Sequence, residues 1–302
     1  MSNAPALPVL PADSRSGADQ PFLAIALILL AVSLFSVMDA LSKLLAARLD
    51  PIEVVWGRYL AILVLLAPLV LRRPLLLATA RPKLQLLRGA AVFGAAVLFI
   101  VGLQHLALAD ATAIGFASPL MVTALSIPLL GERVGVRRWL AVAAGFAGVL
   151  VVIRPGTGAI GAAALWPLSS AACWALGIVV TRRMVGADAA LTTLTHSTLV
   201  GLALSSLALP LVWQQASLMD GAIMAAMGVL SASGQYLFIA GLTRGAASLL
   251  APFSYSQMIW STLMGYLVFG AVPVAWTWCG ALIIVGSGVY IAHRERLRAR
   301  QR

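Results

Sequence analysis

The chain has 302 residues, 61% of them hydrophobic and 10% charged, with a net charge of +11 and a mean hydropathy of +0.98. A soluble globular chain carries about 25% charge, so this one cannot cover a water-facing surface. Nucleic-acid binding is excluded as well, because the basic residues sit in short loops and the tail instead of forming a stripe on a polar domain.

The first 21 residues, MSNAPALPVLPADSRSGADQP, are Pro/Ala/Ser-rich and read as a disordered cytoplasmic tail. The first apolar run starts late and continues to about Ala46, too long for the core of a cleaved leader. From there the apolar runs reach the roughly 17–25 residues needed to cross hydrocarbon. They lack the alternation of a β-barrel strand. Ten spans are expected, at 22–46, 52–71, 84–106, 109–130, 137–153, 162–182, 189–211, 222–242, 247–269 and 274–292. Pro119 and Pro128 are expected to kink the fourth. Residues 294–302 form a basic tail.

Seventeen of the 21 basic residues fall on one side of this map. The positive-inside rule makes that side cytoplasmic, with both termini inside and the chain in the cell inner membrane. Cys173 and Cys279 lie within apolar runs, so no disulfide framework is indicated. No metal-ligand spacing, nucleotide-binding loop or nucleophile triad occurs. Neither catalytic residues nor a cofactor or metal are expected.

Charges inside the spans are costly, about 2.5–3.5 kcal/mol each at a helix centre. Asp39 and Lys43 are four apart and share a helix face. They either line a polar pathway or form a structural ion pair. Glu53, behind Pro51, reads as a helix-start residue. Arg58 lies deeper in span 2; it either binds an anionic solute or locks span 2 to span 1 through Asp39. Gln104, His105 and Asp110 cluster at one end of spans 3 and 4, and His105 is a candidate for proton exchange. Gln235 in span 8, with Tyr255, Gln257 and Ser261 in span 9, supplies a polar face without formal charge. Trp174 can stack on a solute or fill the bundle. Thr112 and Phe116 are weaker equivalents in span 4.

LFIVGL at 98–103 returns as LFIAGL at 237–242, an offset of 139. The same offset sets LFSVMDALSK (34–43) against CWALGIVVTR (173–182), and LLGER (129–133) against VFGAV (268–272). Each half then holds five spans. An odd number inserts the second half upside down, so the expected fold is all-α, with ten transmembrane helices in two inverted five-helix repeats, 22–155 and 162–293.

MDALSK in span 1, PIEVVWGRY entering span 2, LLGER followed by RRW and GVLVVIRPG, and RGAASLLAPFSYSQMIWSTLMGYLVFG together resemble the drug/metabolite transporter (DMT) superfamily, specifically its EamA-type members. The likeness covers about residues 22–293. It implies solute movement through a cavity framed by spans 1, 3, 4, 6, 8 and 9. Asp39, Gln104, Thr112, Trp174, Gln235, Tyr255 and Gln257 become candidates for its lining, and Glu132 a structural latch closing span 4. Two departures stand out: Ala271 replaces the usual second glutamate, and Met258 replaces a usual proline. The Met38-Asp39 plus Lys43 form of span 1 resembles the branch containing riboflavin and S-adenosylmethionine importers.

The expected function is a secondary transporter that moves a small organic metabolite by alternating access, not an enzyme. Asp39 and His105 are the candidates for proton coupling. The expected partners are the solute and membrane lipid, as a monomer or homodimer. A non-transporting membrane scaffold, or an enzyme acting on a lipid intermediate, is the alternative.

Overall fold

The computed structural model describes residues 21–130, 136–154, 160–184, 187–242 and 253–299. These residues form eleven helices in chain order: α1 Pro21–Ala46, α2 Pro51–Arg72, α3 Pro82–His105, α4 Leu108–Gly115, α5 Ser118–Leu130, α6 Val136–Ile153, α7 Leu165–Arg183, α8 Ala190–Val212, α9 Leu218–Leu242, α10 Gln257–Phe269 and α11 Ala275–Ala299. Seven segments among them are long and apolar enough to cross a membrane, with shorter apolar helices at Trp139–Ile153 and Ala275–Tyr290. The chain is an all-α, multi-spanning membrane protein.

Local chemistry sets the ends of these helices. Asp50 caps α2, its carboxylate accepting from the Ile52 amide at 2.8 Å, with Pro51 in the first helical position. Gly270 closes α10 at a left-handed φ of 65°, and the Ala271 amide reaches back to the Gly265 carbonyl. The fourth span is broken between α4 and α5. Pro119 explains the position, because its ring would collide with the carbonyl four residues back, that of Gly115, where α4 stops. Pro128, by contrast, lies inside α5 without interrupting it.

The ninth span breaks at the corresponding place. Tyr255 and Ser256 form a turn immediately before α10, although Met258 stands where Pro119 does in the first half. Helix starts recur at the sequence offset too: α2 with α8, α5 with α10, and α6 with α11.

Helix packing falls into pairs. The pairs α1–α9 and α3–α7 make the most extensive contacts, with α6–α11 alongside. Next come α3–α8 and α2–α9, then α5–α7 and α1–α10. The pairs α2–α8 and α4–α10 complete the frame. Small residues permit the closest approaches. A Cβ on Gly280 would meet the Gly148 carbonyl at 2.6 Å, and one on Gly148 would meet the Gly280 carbonyl at 2.9 Å, so α6 and α11 touch backbone to backbone. Three buried apolar clusters matter for the site. One gathers around α1, α3, α4, α6 and α10; a second lies between α1, α2, α3 and α9; and a third, Val122, Ala175 and Val179, lies between α5 and α7.

Candidate functional site

α1, α4 and α10 bring five polar residues together inside the apolar frame. Ser36 and Asp39 lie three apart on one face of α1. The Ser36 hydroxyl lies 3.4 Å from the Gln257 carbonyl and 3.5 Å from the Ser261 hydroxyl. Thr112 donates to Ser261 at 3.1 Å, and the Gln257 amide reaches the Asp39 carboxylate at 3.4 Å. Asp39 is only 7% exposed, and Ser36 and Ser261 are fully buried. A contact of 3.4 Å is a weak hydrogen bond for an amide and a carboxylate. Among the described residues Asp39 is therefore a buried acid with one long bond, which a solute donor could better.

Asp39 makes no ion pair with Lys43 or with Arg58. Lys43 turns away to the end of α3, where its ammonium donates to the carbonyls of Leu103 and Leu106 at 2.5 Å each. Gln104 answers from α3, its amide donating to the Ala46 carbonyl at the end of α1 at 2.9 Å. Arg58 is buried on α2. It lies 5.4 Å over the Tyr59 ring and 3.9 Å from the Met38 sulfur, and its Nε has no hydrogen-bond partner among the described residues. The lock of Arg58 on Asp39 that the sequence allows is not formed by an ion pair here.

The other candidates are spread around this seam. Tyr255 is buried against Phe116, with ring centroids 5.2 Å apart, and its hydroxyl lies against Gly288 of α11. Gln235 is half-buried on α9, while Trp174 is 44% exposed on α7 and His105 is exposed at the end of α3. Asp110 accepts from Thr277 at the start of α11 at 2.5 Å. Glu132 lies outside the described residues. Glu53 binds across the bundle, accepting from the Gln214 amide at 3.0 Å, while Asp50 caps its own helix.

Two contributors escaped the sequence reading. Ser36 could have been found, because it precedes Asp39 by three residues on the same face. The carbonyls of Leu103 and Leu106 could not, since a backbone acceptor has no side-chain signature. Arg88 also changes character. One of the seventeen basic residues assigned to the cytoplasmic side, it lies within α3 and ties three helices together, donating to Thr181 at 2.7 Å, to Ser197 and to the Thr193 carbonyl.

Among the described residues, no group of three metal-ligating side chains occurs. A multi-spanning bundle with a buried polar seam between its helices has the build of a membrane transport protein. The chain belongs to the EamA-like transporter family, which matches residues 22–154 and again 161–292. Its members are transporters, not enzymes. The chain is 28% identical to the S-adenosylmethionine uptake transporter of Rickettsia prowazekii, over 89% of this chain and 92% of that protein. It is 31% identical to a riboflavin transporter of Rhizobium johnstonii, over 67% and 68%. It is 28% identical to the pseudopaline exporter CntI of Pseudomonas aeruginosa, over 89% and 96%. A solved crystal structure superposes with a TM-score of 0.64 at 21% identity, covering 90% of this chain and 98% of its own, a likeness of fold.

Proposed function

We propose that the chain is a secondary transporter of a small organic solute, working by alternating access between two inverted five-helix halves, 22–155 and 162–293. One observation carries this reading. Exchange each helix for its counterpart at the sequence offset, and the packing pairs map onto one another. The pair α1–α9 becomes α7–α3, α3–α8 becomes α9–α2, and α1–α10 becomes α7–α5, while α2–α8 and α6–α11 map onto themselves. The match is incomplete among the described residues: α1 packs on α3, α2 on α3 and α5 on α6, while no contacts of that extent join α7 to α9, α8 to α9 or α10 to α11.

Two halves built alike can exchange packing arrangements and so open a central site to one side at a time. The α1 and α3 ends that meet, Ala46 and His105, lie opposite the basic loops. The positive-inside reading puts them outside the cell, with both chain termini in the cytoplasm. The packed α1–α3 seam then closes the outer side.

The polar seam is the proposed solute site. Its counterpart at the offset places Ala175, Ile178 and Val122 where Ser36, Asp39 and Ser261 stand. Those three residues pack in an apolar cluster, with the buried Ser118 where Gln257 stands. The fold therefore does not require polar groups at those three positions, and their presence in one half favours a binding role. Asp39 is the proposed proton-coupling group; His105, exposed at a helix end, is the weaker candidate. Glu132 is kept as a proposed latch at the cytoplasmic end of span 4.

The names of the relatives select the first solutes to assay, S-adenosylmethionine and riboflavin. Purified protein in proteoliposomes should exchange one of them against internal unlabelled solute, with flux responding to an imposed pH gradient. Flux no greater than that of protein-free liposomes for both solutes, together with no solute-induced thermal shift across a panel of nucleosides, flavins and amino acids, would overturn the reading.

A further inference from the structure

Two arginines within the bundle are held in opposite ways. Arg88 of α3, half-buried, is fully engaged: it donates to Thr181, to Ser197 and to the Thr193 carbonyl, joining α3 to α7 and α8. Arg58 of α2 is buried more deeply, at 8% exposure, yet among the described residues no carboxylate or carbonyl accepts from it. Its guanidinium meets the Met38 sulfur at 3.9 Å and lies 5.4 Å over the Tyr59 ring, and its Nε has no partner. An arginine stays charged inside a protein. Burying that charge without a hydrogen-bonded counter-ion is costly.

The matching acid is Asp39, itself buried and holding one long bond, to Gln257. Arg58 reaches α1 at Met38, the residue before Asp39, and it is the cation whose charge acts on the Asp39 carboxylate. Opposite charges therefore stand on neighbouring helices, near enough to feel each other and not joined. The fold does not require them. The sequence offset puts Ser197 opposite Arg58 and Ile178 opposite Asp39. Ser197 is satisfied within the protein, donating to the Thr193 carbonyl at 2.9 Å and accepting from Arg88. The charged couple belongs to the first half alone.

We propose that Arg58 and Asp39 form a two-point site for a zwitterionic head on the solute, with a carboxylate on Arg58 and an ammonium on Asp39. Charge balance selects that class. An anion alone would answer Arg58 and set a like charge against Asp39. A cation alone would answer Asp39 and leave Arg58 without an acceptor. An uncharged solute supplies neither charge. A head that carries both signs a few bonds apart satisfies both residues without drawing the two helices together. The planar guanidinium fork matches a carboxylate with two parallel hydrogen bonds. This inference rests on the transport reading and adds to it the chemical class of the solute and the residue that selects it.

Thermal shift of the purified protein in nanodiscs, with counterflow in proteoliposomes, tests it. The probes are S-adenosylmethionine, a set of α-amino acids, the decarboxylated analogue of each, and riboflavin. At least one zwitterion should raise the melting temperature and be exchanged. The same molecule without its carboxylate should bind about tenfold more weakly or worse, as expected for losing hydrogen bonds to a charge. Arg58→Met should bring the zwitterion down to the level of its decarboxylated analogue while leaving the analogue's own binding unchanged. Without solute, Arg58→Met should melt no lower than the parent, because a costly buried charge has gone. Arg88→Met, which strips hydrogen bonds from three helices, should melt lower.

If Arg58→Met weakens the zwitterion and its decarboxylated analogue alike, or melts as low as Arg88→Met without solute, Arg58 is a structural residue and the proposal fails. If riboflavin is exchanged and no zwitterion is, the proposal fails while the transport reading stands. If no probe of any class is exchanged or shifts the melt, both fail.

Discussion

Phe116 and Tyr255 occupy matching positions in the two sequence halves, and their rings meet edge to face with centroids 5.2 Å apart and planes at 77°. Each sits at the break of its span, Phe116 after α4 and Tyr255 before α10. In the proposed arrangement of two inverted halves, a residue that touches its own counterpart lies on the axis that relates them. The contact should therefore couple them. In a double-mutant cycle, Phe116→Ala and Tyr255→Ala should interact by about 1 kcal/mol, the ordinary worth of an aromatic pair. Denaturant unfolding in detergent measures it, and simple additivity would count against a coupled pivot.

Gly288→Ala tests the same pivot from α11. Its new Cβ would fall 1.7 Å from the Tyr255 hydroxyl, so the buried ring must move. Overpacking of this kind costs about 1–3 kcal/mol. The melting temperature should fall, and Phe116→Ala should cost less in the Gly288→Ala background than in the parent.

The polar seam and its apolar twin suggest an exchange of residues. Ser36→Ala with Ser261→Val gives the α1–α10 seam the chemistry of α7–α5. Removing both partners of a buried hydrogen-bonded pair is close to neutral for stability. The variant should melt within a few degrees of the parent yet lose solute flux by about tenfold or more. Asp39→Asn should likewise retain the fold while flattening the pH profile of flux. Unchanged flux in both would remove the seam from the pathway.

Asp188, in the loop after α7, joins two loops at one end of the bundle. It accepts from Thr79 at 2.6 Å, from the Ala80 amide at 3.0 Å and from Gln85 at 2.8 Å. Burial alone would raise its pKa, but these hydrogen bonds, with a smaller contribution from His196, outweigh burial and hold it below the usual carboxylate range. A lowered folded pKa gives stability that is present above the unfolded value and lost as pH falls through the folded one. Asp188→Asn should therefore destabilise the fold at pH 7, by about 1 kcal/mol or less once solvent screening is included. Its deficit against the parent should shrink below about pH 4. Thermal melts at both pH values decide it, and a deficit that persists in acid would contradict the assignment.

The helices were legible in the sequence because hydropathy and span length dictate them almost alone. Pro119 announced the break in the fourth span, and the structure places that break where the ring would strike the Gly115 carbonyl. The matching break at Tyr255 had no proline to announce it. Asp39 and Gln257 could each be nominated from residue type, since a buried carboxylate needs a donor. Their pairing could not, because it joins α1 to α10 across 218 positions of chain. Lys43 was legible as a cation in need of a partner, but that partner is backbone. Arg88 misled by position: near a basic loop, it reads as a topology signal until the hydroxyls of Thr181 and Ser197 are brought to it.

The one-sidedness of the Ser36–Asp39–Gln257–Ser261 group has a kinetic corollary. If cargo binds there, it keeps a single berth for the whole journey, and the smooth opposite wall glides past it. No hand-over between two gripping surfaces is needed, so release depends on when the berth gets wet, and from which side.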